Sequence, residues 1–150
     1  MKDGQPRAVQ LQDYKVPPYL IESTELHVSL HEDETIVTTT LKLRRNPAAA
    51  PVQDLLLNGG KDLDTRLVEI DDRTLLANEY QVDDEVLSLF AVPDEFQLKT
   101  RVAIRPQDNT ALEGLYKSGD MFCTQCEPEG FRNITWYLDR PDVMSVFRTT

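Results

Sequence analysis

Five consecutive residues, Cys123-Thr124-Gln125-Cys126-Glu127, concentrate the side chains best suited to chemistry. Two thiols three apart suggest first a redox dithiol or half of a zinc site. A thioredoxin-type pair needs its first cysteine at a helix start, where the helix dipole lowers the thiol pKa. Here Met121 to Glu127 reads as extended, with a helix only afterwards. Three extended steps separate the two Cα atoms by roughly 10 Å, beyond the ~7 Å that a disulfide tolerates. A closed zinc site needs four ligands, and these are the only two cysteines. The expectation is two ordinary reduced thiols, with a redox switch as the minor alternative. His27 and His31 are far away in sequence and read as strand-surface residues.

The same extended geometry draws attention to the residues between and beyond the thiols. Side chains two apart on a strand share a face, so Gln125 and Glu127 should point the same way. A glutamate at a strand end, held just before Pro128, is well placed to meet a cation. By residue type alone it is one acid among 26, and a solvated surface acid is the plainer reading. The remaining acids, including Glu32, Asp33, Glu34, Asp71, Asp72, Asp83, Asp84 and Glu85, cluster at turns without calcium-loop spacing. No phosphate-binding glycine loop, Gly-x-Ser-x-Gly or His-Glu-x-x-His occurs.

A formal net charge of -10 over 150 residues argues against a nucleic-acid partner. The local cations Lys42, Arg44, Arg45, Lys99, Arg101 and Arg105 lie on alternating segments, where charge marks a solvated strand face. No apolar run approaches the ~18 to 20 residues of a membrane-spanning helix. The polar stretch Met1 to Gln10 lacks the apolar centre of a secretory signal, which favours the cytoplasm.

The elements that must position Gln125 and Glu127 are strands. Phe96, Leu98, Thr100, Val102 and Ile104 alternate with polar neighbours, as do Leu26, Val28 and Leu30, and Val37, Thr39, Leu41 and Leu43. Turns are expected at His31 to Glu34, Asn46-Pro47, Asn58-Gly59-Gly60, Asp71-Asp72 and Pro93-Asp94. Their spacing predicts an all-β chain, an antiparallel β-sandwich. A short helix is expected over Phe131 to Leu138, with Pro128 in its first turn. Met144 to Thr150 reads as an extended strand with no terminating signal, as in a truncated domain.

The dense run from Asn109-Thr110-Ala111-Leu112-Glu113-Gly114-Leu115-Tyr116 through Ser118-Gly119, Cys123 to Glu127, Glu129 to Arg132, Ile134-Thr135 and Tyr137 to Val143 resembles the aminopeptidase N family. The likeness is strongest to the bacterial, cytoplasmic branch. Upstream, Tyr14 to Tyr19 and Asn58-Gly59 are compatible with it. The resemblance implies that residues 1–150 form an N-terminal β-saddle domain packed against a thermolysin-like zinc catalytic domain. It implies that Glu127 helps hold the α-ammonium group of a peptide substrate and that Gln125 lines the pocket for its first side chain. The family's zinc motif, its glutamate ligand, the second amine-binding glutamate and the oxyanion-stabilising tyrosine all lie downstream of such a domain. Zinc therefore belongs to the full-length enzyme, with none expected here, and these residues alone should be inactive. A stand-alone β-sandwich that binds protein or carbohydrate is the alternative. Phe122, Phe131, Trp136 and Tyr137 suit either the core or a bared docking surface through which the chain would self-associate.

Overall fold

The strongest period-two segments form the centre of the largest sheet. The computed structural model describes residues 10–127 and 129–150, so Pro128 and the start of the polar N-terminal stretch lie outside the described residues. In chain order the strands are β1 (Tyr19–Leu30), β2 (Thr35–Arg45), β3 (Leu55–Asn58), β4 (Asp64–Ile70), β5 (Arg73–Thr74) and β6 (Tyr80–Asp83). They continue as β7 (Val86–Leu89), β8 (Glu95–Ile104), β9 (Gly114–Ser118), β10 (Met121–Gln125) and β11 (Val146–Thr149).

Three sheets result. The largest has the order β11-β1-β2-β8-β4-β5, the second β3-β7-β6, and β9 and β10 form a hairpin. All pairings are antiparallel except β11 on β1, which is parallel. The all-β expectation holds, with that parallel edge as an addition. Val37, Thr39, Leu41 and Leu43 of β2 stand opposite Val102, Thr100, Leu98 and Phe96 of β8, and all eight are buried. Leu55, Leu57, Leu87 and Leu89 bring the inner face of the second sheet into the same hydrophobic cluster. Alternation thus places one apolar face of each sheet against the other.

Strand β1 departs from simple alternation. A register shift between Ile21 and Ser23 inserts one extra residue, so the inward set changes from Tyr19 and Ile21 to Thr24 and Leu26. Beyond it, Val28 is half-buried and Leu30 is exposed, so the expected inward face of β1 runs out at its far end. The turn at Asp71-Asp72 has both residues at positive φ, 49° and 61°, the backbone a two-residue hairpin requires. Aspartate tolerates it because its short side chain bonds locally.

The expected helix over Phe131 to Leu138 is largely replaced by irregular chain with one isolated bridge at Tyr137. Only Phe131–Asn133 is helical, as one 3-10 turn. Ile134, Thr135, Trp136, Tyr137 and Leu138 are all buried, which no amphipathic helix on a surface achieves. Tertiary partners outcompete the local helical bonds. Asn58 and Tyr137 exchange backbone hydrogen bonds of 2.7 and 3.0 Å. Thr135 shares a 2.7 Å hydroxyl bond with Thr39 of β2, and the Trp136 indole donates to Thr65 of β4 at 2.9 Å. Trp136 and Tyr137 are therefore core residues, while Phe122 and Phe131 pack half-buried against them. Gly59 is the floor beneath Trp136, since any Cβ there would lie inside the indole ring's van der Waals contact.

Among the described residues no helix is long and apolar enough to cross a membrane.

Two buried threonines should respond oppositely to loss of the hydroxyl. Thr35 Oγ1 is fully buried and, among the described residues, lacks a partner. Thr35→Val is expected to stabilise the fold by about 1 kcal/mol, and Thr135→Val, which orphans Thr39, to cost roughly 1 to 3 kcal/mol. Urea unfolding midpoints measure both, and a destabilised Thr35→Val would show that its hydroxyl has an unrecognised partner.

Candidate functional site

Gln125 closes β10 opposite Gly114 of β9, so its backbone is fixed by the hairpin ladder. The strand stops there. Glu127 lies in the turn that follows, so the argument from alternation, which expected both side chains on one strand face, ends at Gln125. Both residues are nevertheless exposed. Among the described residues, the Glu127 carboxylate makes no hydrogen bond or ion pair, and its backbone carbonyl accepts the Gly130 N–H at 2.7 Å.

The turn is tight because Gly130 has no side chain. A Cβ there would stand 2.5 Å from the Gln125 carbonyl oxygen and 3.1 Å from both the Cys126 Cα and the Glu127 oxygen. Its φ of -89° is ordinary, so the requirement for glycine is one of space and not of conformation. Below the turn, the Arg132 carbonyl accepts the Gly60 N–H at 2.9 Å. The Arg132 guanidinium donates through Nε to Asp139 Oδ2 at 3.0 Å and through Nη2 to the Asp139 carbonyl at 2.9 Å. It also lies 3.1 Å from Glu129 Oε2. Asp139 in turn donates its N–H to the Asn58 side chain at 3.2 Å. The loop bearing Glu127 is thus tied on one side to β10 and on the other to β3.

Asn109 organises the approach to the hairpin. Its amide donates to the carbonyls of Glu113 and Leu115, at 2.7 and 2.9 Å, while its oxygen accepts the Leu112 N–H at 3.2 Å. This stabilises Leu112 at a φ of 59°, uncommon for a branched residue. None of these supporting residues, Asn109, Arg132 or Asp139, stands out by spacing. The paired glycines at 59 and 60 were a legible signal, since adjacent glycines mark close backbone approach as well as turns.

Two clefts, of about 680 and 360 Å³, are lined by neither Gln125 nor Glu127. The first opens between Lys61, Asp83, Asp84, Glu85 and Trp136, and the second beside Arg105, Asn109, Glu113 and Asn133. Glu127 is exposed to solvent. To become part of a pocket it needs a second wall. No three histidine, cysteine, aspartate or glutamate side chains come together as metal ligands among the described residues.

Cys123 is half-buried in β10 and Cys126 lies just past its end, and both are free thiols. Although part of Cys126 reaches solvent, burial against the turn, and then the Asp139 carboxylate, push its thiol pKa above the ordinary value. That is opposite to the depressed pKa of a reactive redox cysteine. Alkylation of Cys126 by iodoacetamide at pH 8 is expected to run slower than that of a small free thiol, and Asp139→Asn to speed it. Mass-spectrometric time courses give both rates, and a rate above the free thiol would reverse the assignment.

No protein-family model matches the chain. It is 48% identical over 145 residues to aminopeptidase N of Caulobacter vibrioides, covering 97% of this chain and 16% of that protein. It is 44% identical over 146 residues to aminopeptidase N of Escherichia coli, with the same two coverages. The chain thus spans 16% of the length of the curated relatives it matches. Among solved structures, Legionella pneumophila aminopeptidase A in complex with aspartic acid superposes with a TM-score of 0.87 at 25% identity, over 94% of this chain and 17% of that one. An M1 zinc metallopeptidase from Deinococcus radiodurans, bound to a Tyr-Ser-Ala substrate, shares the fold with a TM-score of 0.72 at 14% identity, over 90% of this chain and 32% of that one. By sequence and by fold, the chain matches the N-terminal region of bacterial aminopeptidase N.

Proposed function

We propose that residues 1–150 are the substrate-recognition β-domain of a zinc aminopeptidase that removes amino acids from the N-termini of peptides. In this reading Glu127 binds the free α-ammonium group and Gln125 lines the pocket for the first side chain. The observation that carries it is the exposed Glu127 carboxylate, without a protein partner among the described residues, on a loop anchored to two sheets. A carboxylate with no internal partner is available to a cation. Once a second wall displaces water, the attraction strengthens several-fold as the effective dielectric falls. Recognition of a charged amine at a fixed point restricts cleavage to the chain end.

The wall would come from the catalytic domain of the longer protein. The exposed apolar residues Met144, Val146 and Phe147 in and just before β11 support this, Phe147 touching Phe131 and Tyr137. Zinc, which activates water in such enzymes, would be held there. The described residues form no ligand set for it, so no chemical step is assigned to this chain beyond holding the substrate's amino end. The two free thiols support a cytoplasmic location. A stand-alone protein- or carbohydrate-binding module has no observation in its favour.

In the full-length protein, Glu127→Gln is expected to lower kcat/KM on an aminoacyl anilide by about 10- to 100-fold, the worth of one charge-assisted hydrogen bond. Unchanged kinetics would remove Glu127 from the site. The 150-residue chain alone should give no turnover in the same assay, and zinc-dependent release of the anilide would place catalytic groups within it.

A further inference from the structure

Arg132 and Asp139 form the least exposed ion pair among the described residues, with side chains 21% and 16% accessible. Every other pair has at least one more open partner. A pair so covered is not a solvated surface contact. It also uses its donors for more than charge. The Arg132 backbone N–H and Nε both donate to Asp139 Oδ2, at 3.1 and 3.0 Å, and Nη2 reaches the Asp139 carbonyl. The third arm of the guanidinium extends to Glu129, two residues beyond Glu127.

We propose that Arg132 is a positioning residue, which acts through Asp139 and Glu129 to hold the Glu127 turn against the Asn58–Gly60 frame. The inference rests on the reading of Glu127 as the amine anchor. Its physical basis is the asymmetry of the two ends of the turn. At Gln125 the backbone is fixed by the β9–β10 ladder. From Glu129 onward the 3-10 turn is too short to hold itself, and it is fastened by Phe131 on Tyr137, by the Arg132 N–H and guanidinium on Asp139 and by the Arg132 carbonyl on Gly60. A carboxylate that must meet an ammonium group within about 0.5 Å depends on both ends being fixed. The planar guanidinium suits the task because it delivers several directed donors at once, which a lysine ammonium on a flexible stem does not.

The test is a double-mutant cycle in the full-length enzyme, combining Arg132→Met with Glu127→Gln, with hydrogen exchange of the turn measured in parallel. Arg132→Met alone is expected to lower kcat/KM on an aminoacyl anilide by about tenfold, and by less than about twofold when Glu127 is already glutamine. Backbone amides between Cys126 and Gly130 should exchange faster in the variant while those of β2 and β8 do not. Should Arg132→Met fail to fold, Asp139→Leu removes the side-chain acceptor of the same clamp at similar volume and carries the same expectations. If Glu127→Gln is impaired but the Arg132 loss is equally large in both backgrounds, the clamp is structural and the proposal falls while the amine anchor stands. If Glu127→Gln has wild-type kinetics, anchor and positioning role fall together. Unchanged exchange at the turn also overturns the clamp.

Discussion

The fold depends on one short stretch of chain that belongs to no sheet. Ile134 to Leu138 passes between the two sheets with every side chain buried, and the reciprocal backbone bonds between Asn58 and Tyr137 fasten it to the end of β3. Its side chains then attach to the large sheet strand by strand. Thr135 bonds to β2, Trp136 to β4, and the Tyr137 hydroxyl reaches Thr24 of β1 at 3.4 Å. Apolar contact between inner faces is strong but does not specify angle, whereas hydrogen bonds at several points do.

The same stretch anchors the far end of a surface loop. The turn carrying Glu127 leaves β10 at Gln125 and leads into the 3-10 turn Phe131–Asn133. It is short, backed by a glycine, and pinned at its exit by groups that themselves hold the Asn58 connection. Loops are ordinarily the mobile part of a fold, and binding groups on them gain precision only from such anchoring.

How much of this could be read from the residues differs by element. In β2 and β8 one face is buried and the other wet over about ten residues, so alternation is visible, and the inward residues expected are those found. The Asp71-Asp72 and His31 to Glu34 turns were visible for similar local reasons. The bulge in β1 was not, because the phase of Leu26 and Val28 already includes Thr24 and nothing local shows that it changes between Ile21 and Ser23 until the partner strand is known. The 134–138 stretch was misread as helix for a related cause. Five buried residues in a row carry no period, so capping and flanking prolines dominated the reading while the true determinants lay at Asn58, Thr39 and Thr65. Glu127 was identified by resemblance. Strand geometry pointed to Gln125 and stopped where β10 stops.

Trp136 is the only tryptophan in the chain. Its indole lies on Gly59 beyond β3, with its N–H on Thr65 of β4. Native fluorescence therefore arises from the seam between the two layers. Parting of the layers would shift its emission to longer wavelengths even with each layer still intact, while fraying of the β9–β10 hairpin would leave it largely dark to the change. The molecule carries an intrinsic optical gauge of whether its halves are closed.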